Sequence, residues 1–446
     1  MHRFLFPLAA LVVAVPALAA DEPAADVSQA RLKSDVDALV SFGTRHTLST
    51  QTDPKRGIGA ARDWARGRFE TASKACGGCL EIVEPETMVS GPRMPQPTRL
   101  IDVVAIQKGT ERPDEVVIVQ GHIDSRVTDV MNANADAPGA NDDGSGTALV
   151  LEAARVLSKN KYPATIVYAV LSGEEQGLYG GKLLADYAEK QGWHVKAVLN
   201  NDIVGNSRGS DGLVDDTHVR VFSEGERADA DDRMRAAMRR DGGENDSPSR
   251  NLSRFIAGLG AADGKGFSVR QVWRTDRMGR GGDQIPFEDK GYPAVRFSVA
   301  VENYDHQHQD LRTENGVVYG DTAQFMDFAY LARVTRLNVR ALAALATAPM
   351  PPSAVAQAAV QTFTDVSWTP VAGAARYHVW QRRTDQPGWG ARPVRTVEGT
   401  HVRLDGVRGD DWFFGVSAVA ANGAESPVAS AVPGGGFDKS VAPPKG

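Results

Sequence analysis

Short apolar runs alternate with amphipathic stretches through the first three-quarters of the chain. Runs rich in β-branched residues at 103–106, 116–119, 165–171, 195–199 and 292–298 read as buried strands. Between and around them, apolar residues at helical spacing predict helices over 27–40, 57–72, 148–159 and 325–343. Alternation of this kind predicts an α/β unit with a mostly parallel, mixed central sheet flanked by helices. In such sheets ligands bind beyond the carboxyl ends of the strands.

Residues 211–276 break the pattern. They are polar and rich in arginine, aspartate and glycine, and predict one helix over 229–240 and loops across the active face. A second break comes at Pro349-Met350-Pro351-Pro352. After it, short strands separated by turn residues (365–368, 377–380, 401–404 and 412–416) predict a small all-β sandwich. The expected organisation is a leader over 1–20, an α/β domain over 21–348, a sandwich over 352–433 and a disordered tail over 434–446. The proline-rich break is expected to be a linker with few contacts across it.

Arg3, the apolar stretch 4–15 and Ala17-Leu18-Ala19 have the layout of a signal peptide. The protein is therefore expected to be secreted or periplasmic. No later stretch is long and apolar enough to span a membrane. The net charge of −6 gives no reason to expect a nucleic-acid or anionic-membrane partner. The two cysteines, Cys76 and Cys79, are expected to close a local disulfide in an oxidising compartment.

Five short segments carry the candidate chemistry: Gly121-His122-Ile123-Asp124, Asn141-Asp142-Asp143-Gly144, Gly173-Glu174-Glu175, Asn201-Asp202 and His306-Gln307-His308-Gln309-Asp310. His122, Glu174, Glu175 and Asp202 each follow a predicted strand, so they are expected at one edge of the sheet. His122 offers a ring nitrogen to a metal, and Asp124 is placed to accept its other N–H. The adjacent acids Asp142 and Asp143 repel one another, which calls for a cation, although one of them would equally serve as a helix N-cap. One of Glu174 and Glu175 can bind metal while the other faces substrate as a base. One of His306 and His308 is expected to be a ligand. Together the segments supply donors for two zinc ions and one spare carboxylate.

In their order, these five segments resemble the co-catalytic di-zinc aminopeptidases of the bacterial leucyl aminopeptidase type, over about residues 43–339. The resemblance implies the zinc-dependent exopeptidase fold and a hydroxide between two zinc ions. It implies that His122 and Asp202 bind one zinc, that Glu175 and a loop histidine bind the other, and that Asp142 bridges both beside a cis peptide to Asp143. Glu174 is then the general base and Asp124 orients His122. The family's last ligand usually precedes an acid by four positions, as His306 precedes Asp310, which selects His306. Gln284 stands where the family often has histidine, and Asn141 where some members have a third aspartate. Peptides with a free N-terminus are the implied substrates. The alternatives are a carboxypeptidase or dipeptidase of the same fold, with Arg277, Arg280 or Arg296 receiving a terminal carboxylate, a glutaminyl cyclase, or a non-catalytic binding protein. Val366-Ser367-Trp368 with Ala375-Arg376-Tyr377-His378-Val379 resembles a fibronectin type III domain, which implies a surface or polymer as a further partner.

Overall fold

The structure is a computed structural model that describes residues 23–262 and 266–438. The chain opens with helices α1 (Gln29–Ser41) and α2 (Gly57–Ala75) and strands β1 (Glu81–Val83), β2 (Glu86–Gly91), β3 (Met94–Ile101), β4 (Val103–Gln107) and β5 (Arg112–His122). It continues through α3 (Gly144–Leu157), β6 (Ala164–Leu171), α4 (Tyr179–Lys190), β7 (His194–Asn201), β8 (His218–Phe222), α5 (Asp232–Asp241) and α6 (Pro248–Ala262). Then come β9 (Ser268–Val272), α7 (Ile285–Glu288), β10 (Ala294–Val299), a hairpin of β11 (Arg312–Glu314) and β12 (Val317–Tyr319), and α8 (Phe328–Thr347). The leader predicted over 1–20 lies outside the described residues. Among the described residues no helix is long and apolar enough to cross a membrane.

Eight strands form one sheet in the order β1-β4-β6-β5-β7-β10-β8-β9. The central β6, β5, β7 and β10 are mutually parallel, and antiparallel pairs flank them. Alternate residues of β5 face opposite layers. Val117 and Val119 pack in a core with α1, α2, α3 and α8, whereas Val116 and Ile118 pack with α4 and α7. Both faces are thus covered, which is why these strands read as continuous apolar runs rather than alternating ones. Each fully buried Val or Leu contributes roughly 1.5–3 kcal/mol. Cys76 and Cys79 form the expected disulfide at the end of α2.

Among the elements that escaped the sequence pattern are β8, α6 and β9, all inside the polar stretch 211–276. β8 and β9 lie at the sheet margin, and arginine occurs at their centres. Arg220 stacks over Phe222 and pairs with Glu302. α6 buries Ser249, Arg250, Asn251, Ser253 and Arg254: Arg250 and Ser253 pair with Ser223 and Gln271 of the first unit, and Asn251 and Arg254 with Ser430 and Pro387 of the C-terminal unit.

That unit comprises β13 (Ala354–Gln357), β14 (Phe363–Trp368), β15 (Arg376–Arg383), β16 (Arg395–Val397), β17 (His401–Asp405), β18 (Trp412–Val419) and β19 (Ala429–Ser430). Two antiparallel sheets, β13-β14-β17 and β16-β15-β18-β19, enclose a separate core that includes Val366, Trp368, Tyr377, Val379 and Val416. The expectation of few contacts across the linker is corrected. The buried Asp246 carboxylate accepts from Arg254 Nη1 at 2.9 Å and from Arg382 Nη2 of the second unit at 2.5 Å. Asn251 Nδ2 donates to Ser430 Oγ at 2.9 Å, and Trp389 Nε1 donates to Asn251 Oδ1 at 3.1 Å. The disordered tail does not begin at Gly434 either. Phe437 is 2% exposed, and Arg227 Nη1 donates to the carbonyls of Gly436 and Asp438. Residues 439–446 lie outside the described residues.

Near this seam, burial pushes the Glu224 carboxyl up to about 8, and burial likewise pushes Glu288 well above the ordinary range, with Glu224 adding repulsion. A raised carboxyl keeps its proton in the folded state at pH values where the unfolded chain has lost it. Stability from this source is complete below about pH 4.5, the ordinary value, and is lost as pH rises toward 8. Urea midpoints measured between pH 5 and 8 should therefore fall less steeply in Glu224→Gln than in the parent. Identical slopes would show that Glu224 ionises normally.

Candidate metal centre

β5 ends at His122, β6 ends three residues before Glu174, and β7 ends just before Asp202. The parallel register pairs His122 with Leu171 and Gln120 with Asn200, so the three ends are level. α3 starts at the same edge. A Cβ at Gly146 would lie 2.0 Å from the Asn201 carbonyl, so glycine is what lets the first turn of α3 approach β7. Asp143 is the N-cap: its carboxylate accepts from Gly146 N at 2.9 Å and from His122 N at 3.1 Å. Asp142 therefore faces the edge while Asp143 faces the helix. The Asp321 carboxylate holds the preceding turn, accepting from Asn141 N at 3.0 Å and Asp142 N at 2.7 Å. The Asp142–Asp143 peptide bond is cis, as is Asp202–Ile203.

Two clusters result. His122 Nε2 lies 3.2 Å from Asp142 Oδ1, 3.8 Å from Asp202 Oδ2 and 4.0 Å from Glu174 Oε2. His308 Nε2 lies 2.9 Å from Asp142 Oδ2 and 2.9 Å from Glu175 Oε1. Asp142 presents one oxygen to each histidine.

The choice of His306 is corrected to His308. His306 stacks on Phe325 with ring centroids 3.7 Å apart and lies beside the cleft. His308 adopts φ +57°, a left-handed conformation uncommon for a non-glycine residue. Between the two, Gln307 Nε2 donates to Asp142 Oδ2 at 2.7 Å. Spacing to the next acid was therefore the wrong guide; the local backbone turn decides which ring reaches the acids. His308→Ala is expected to lower bound metal and His306→Ala to retain it, as read by elemental analysis of both variants. The reverse result would restore His306.

Asp124 does more than face His122. Its Oδ1 is 3.5 Å from His122 Nδ1, which lies closer to the Asp124 carbonyl, at 3.1 Å. The carboxylate also accepts from Glu174 N at 3.3 Å, Glu175 N at 3.1 Å and Thr47 Oγ1 at 2.9 Å. One buried acid thus fixes a histidine and both glutamates. The glutamates themselves differ. Glu175 is 5% exposed and bound by Arg126 Nε at 2.8 Å. The Glu174 side chain is 12% exposed and has no guanidinium partner among the described residues.

Six carboxylates converge here: Asp124, Asp142, Asp143, Glu174, Glu175 and Asp202. Among the described residues two guanidinia pair with them, Arg126 with Glu175 and Arg296 with Asp202 at 2.9 Å. These acids outnumber the guanidinia paired with them, an excess that divalent cations would offset. The side chains register that excess. Burial pushes Glu174 and Asp143 well above the carboxylate range, and neighbouring acids add to it. Burial opposes ionisation of His308, but Glu175 and Asp142 hold its proton on up to about 10. Buried His122 Nε2 and Glu175 Oε1 make no well-aligned hydrogen bond and meet only the acid and imidazole contacts given above. Orphaned nitrogen and oxygen donors in an over-acidic pocket fit zinc.

Several residues that complete the site carried no motif signal. Arg45 is fully buried and donates to the carbonyls of Ile123, Pro138 and Gly139, tying together the loops that bear Asp124 and Asp142. Arg126 Nη2 also contacts His308 Nδ1 at 2.6 Å. Gln284, where the resemblance implies histidine, is fully buried; it donates to Asp276 Oδ2 at 2.7 Å and accepts from Asn200 Nδ2 at 3.2 Å. Asn141 Oδ1 accepts from Gly205 N at 2.8 Å, a structural contact.

Residues 102–326 match the profile of peptidase family M28. A probable zinc metalloprotease of Pyricularia oryzae is 45% identical over 424 residues, spanning 92% of this chain and 83% of that protein. The chain belongs to peptidase family M28. It is a zinc metallopeptidase. Among solved structures of this M28 fold, the LapA aminopeptidase of Legionella pneumophila aligns with a TM-score of 0.53 at 16% identity, covering 76% of this chain and 77% of that one. The glutaminyl cyclase of Fimbriiglobus ruber aligns at 0.50 and 19% identity, covering 71% and 95%.

Proposed function

We propose that this M28 peptidase is an exported aminopeptidase holding two zinc ions. The observation that carries the reading is Asp142, with one carboxylate oxygen on each histidine cluster. His122, Asp202 and Asp142 Oδ1 would hold one ion; Glu175, His308 and Asp142 Oδ2 would hold the other. Zinc bound there supplies Lewis acidity and a lowered pKa for water.

The chain's own residues do the rest. Glu174, left without a guanidinium partner, accepts the proton of the attacking water and returns it to the leaving amine. Asp124 sets the backbone of Glu174 and thereby the direction of its carboxylate. The acidic strand edge suits a peptide's free ammonium terminus, and an aminopeptidase among the structures of this fold agrees with that reading.

The leader-like residues 1–20 support export to the periplasm or medium. The C-terminal unit, with Trp368 and Tyr377 rings 5.4 Å apart in its core, supports a fibronectin type III-like sandwich that engages a surface or polymer.

Thorough chelation is expected to abolish hydrolysis of aminoacyl p-nitroanilides, and zinc to restore it, with two zinc atoms per chain by elemental analysis. Activity that survives metal removal, or a single zinc at full activity, would overturn the two-zinc reading.

A further inference from the structure

Next to the metal clusters lies a chain of arginines with more positive charge than its acids absorb. Glu302, with a side chain 3% exposed, receives three guanidinia: Arg220 at 2.6 Å, Arg280 at 2.8 Å and Arg277 at 3.3 Å. Arg277 also pairs with Asp276 at 3.2 Å, and Asp276 pairs with the buried Arg296 at 3.0 Å. Arg296 reaches onward to Asp202. With Arg296 held by Asp202, three guanidinia, Arg220, Arg277 and Arg280, are left against two carboxylates, Glu302 and Asp276.

The surplus surfaces at one place. Arg296 is fully buried and Arg277 nearly so, whereas the Arg280 side chain is 30% exposed. Arg280 Nη1 donates to Gln307 Oε1 at 3.3 Å, and Gln307 Nε2 donates to Asp142 Oδ2. One side chain therefore separates Arg280 from Asp142. Met278 on the same loop is 79% exposed and leaves the approach open.

We infer that Arg280, backed by Arg277, recognises a substrate carboxylate within one residue of the scissile bond. Guanidinium is the group suited to this, since its planar fork takes both oxygens of a carboxylate. The carboxylate has two sources: an acidic side chain on the terminal residue, or the free α-carboxylate of a di- or tripeptide. This rests on the aminopeptidase reading above, which the exposed charge would turn toward acidic N-termini or short peptides.

The test measures kcat/KM in two arms with the zinc-loaded enzyme. One compares glutamyl with glutaminyl p-nitroanilide, and the other Leu-Gly with Leu-Gly-amide. In at least one arm the anionic substrate should exceed its neutral isostere by tenfold or more. Arg280→Gln should bring that ratio close to one at unaltered zinc content, and Arg280→Lys should keep part of it. Ratios near one in both arms, with the neutral substrates cleaved, would overturn the inference and leave the aminopeptidase reading intact. Failure to cleave any aminoacyl substrate would sink that reading and the inference with it.

Discussion

Glu174→Gln is expected to lower kcat by at least ~10²–10⁴-fold, the typical worth of general acid–base help, while zinc content stays unchanged. The amide keeps the shape and the backbone contact to Asp124 but cannot accept a proton. Metal retention is the discriminating readout. Glu175, at 2.9 Å from His308 and bound by Arg126, is the glutamate whose loss should empty a site, so Glu175→Gln should lose zinc. If Glu174→Gln lost zinc and Glu175→Gln kept it, the two glutamates would exchange roles. The cluster of His122, Glu174 and Asp202 makes this a real contest, since Glu174 Oε2 lies within 4.0 Å of His122 Nε2. What favours the base is that Arg126 binds Glu175, whereas among the described residues no guanidinium pairs with Glu174.

The central strands and the acids at their ends were legible in the sequence because parallel strands buried on both faces need unbroken apolar runs. Such runs are visible without knowing what covers them. His122, Glu174, Glu175 and Asp202 lie where that logic puts them, at or just past the ends of β5, β6 and β7, whereas Asp142 was marked by the paired acids before α3. His308 was not legible. Two histidines two residues apart in a loop differ only in backbone direction, and no sequence period records a left-handed turn. β8, α6 and β9 were hidden for another reason. Their arginines and serines are buried by pairing, as with Arg250 donating to Ser223 and Arg254 to Asp246, so a hydropathy pattern reads them as solvent-facing. Arg45 and Asp321 likewise act on backbone groups brought together only by the fold.

Asp246→Ala is expected to destabilise the folded protein by ~3–5 kcal/mol, the cost of leaving a buried charge without its partner. Asp246 serves Arg254 from one unit and Arg382 from the other, and it also accepts from Ser430 Oγ at 3.2 Å. Removing it strands two guanidinia that are each about 5% exposed or less. Adding Arg382→Leu to Asp246→Ala should recover part of the loss, because the charge left unpaired is then removed, and the two changes should be non-additive. The same seam bears on a chain ending at Ala348. That truncation uncovers Asp246 just before α6 and Asn251 and Arg254 on it, and deletes Phe437, which the full chain buries. It should therefore be poorly soluble or unfold at a lower urea concentration, despite carrying every proposed metal ligand. A truncated protein as stable as the full chain, together with an Asp246→Ala change below about 0.5 kcal/mol, the range of ordinary surface substitutions, would mean that the second unit docks without supporting the first. The buried cross-unit pairing of Asp246 argues instead that the peptidase unit depends on a neighbour that supplies none of its chemistry.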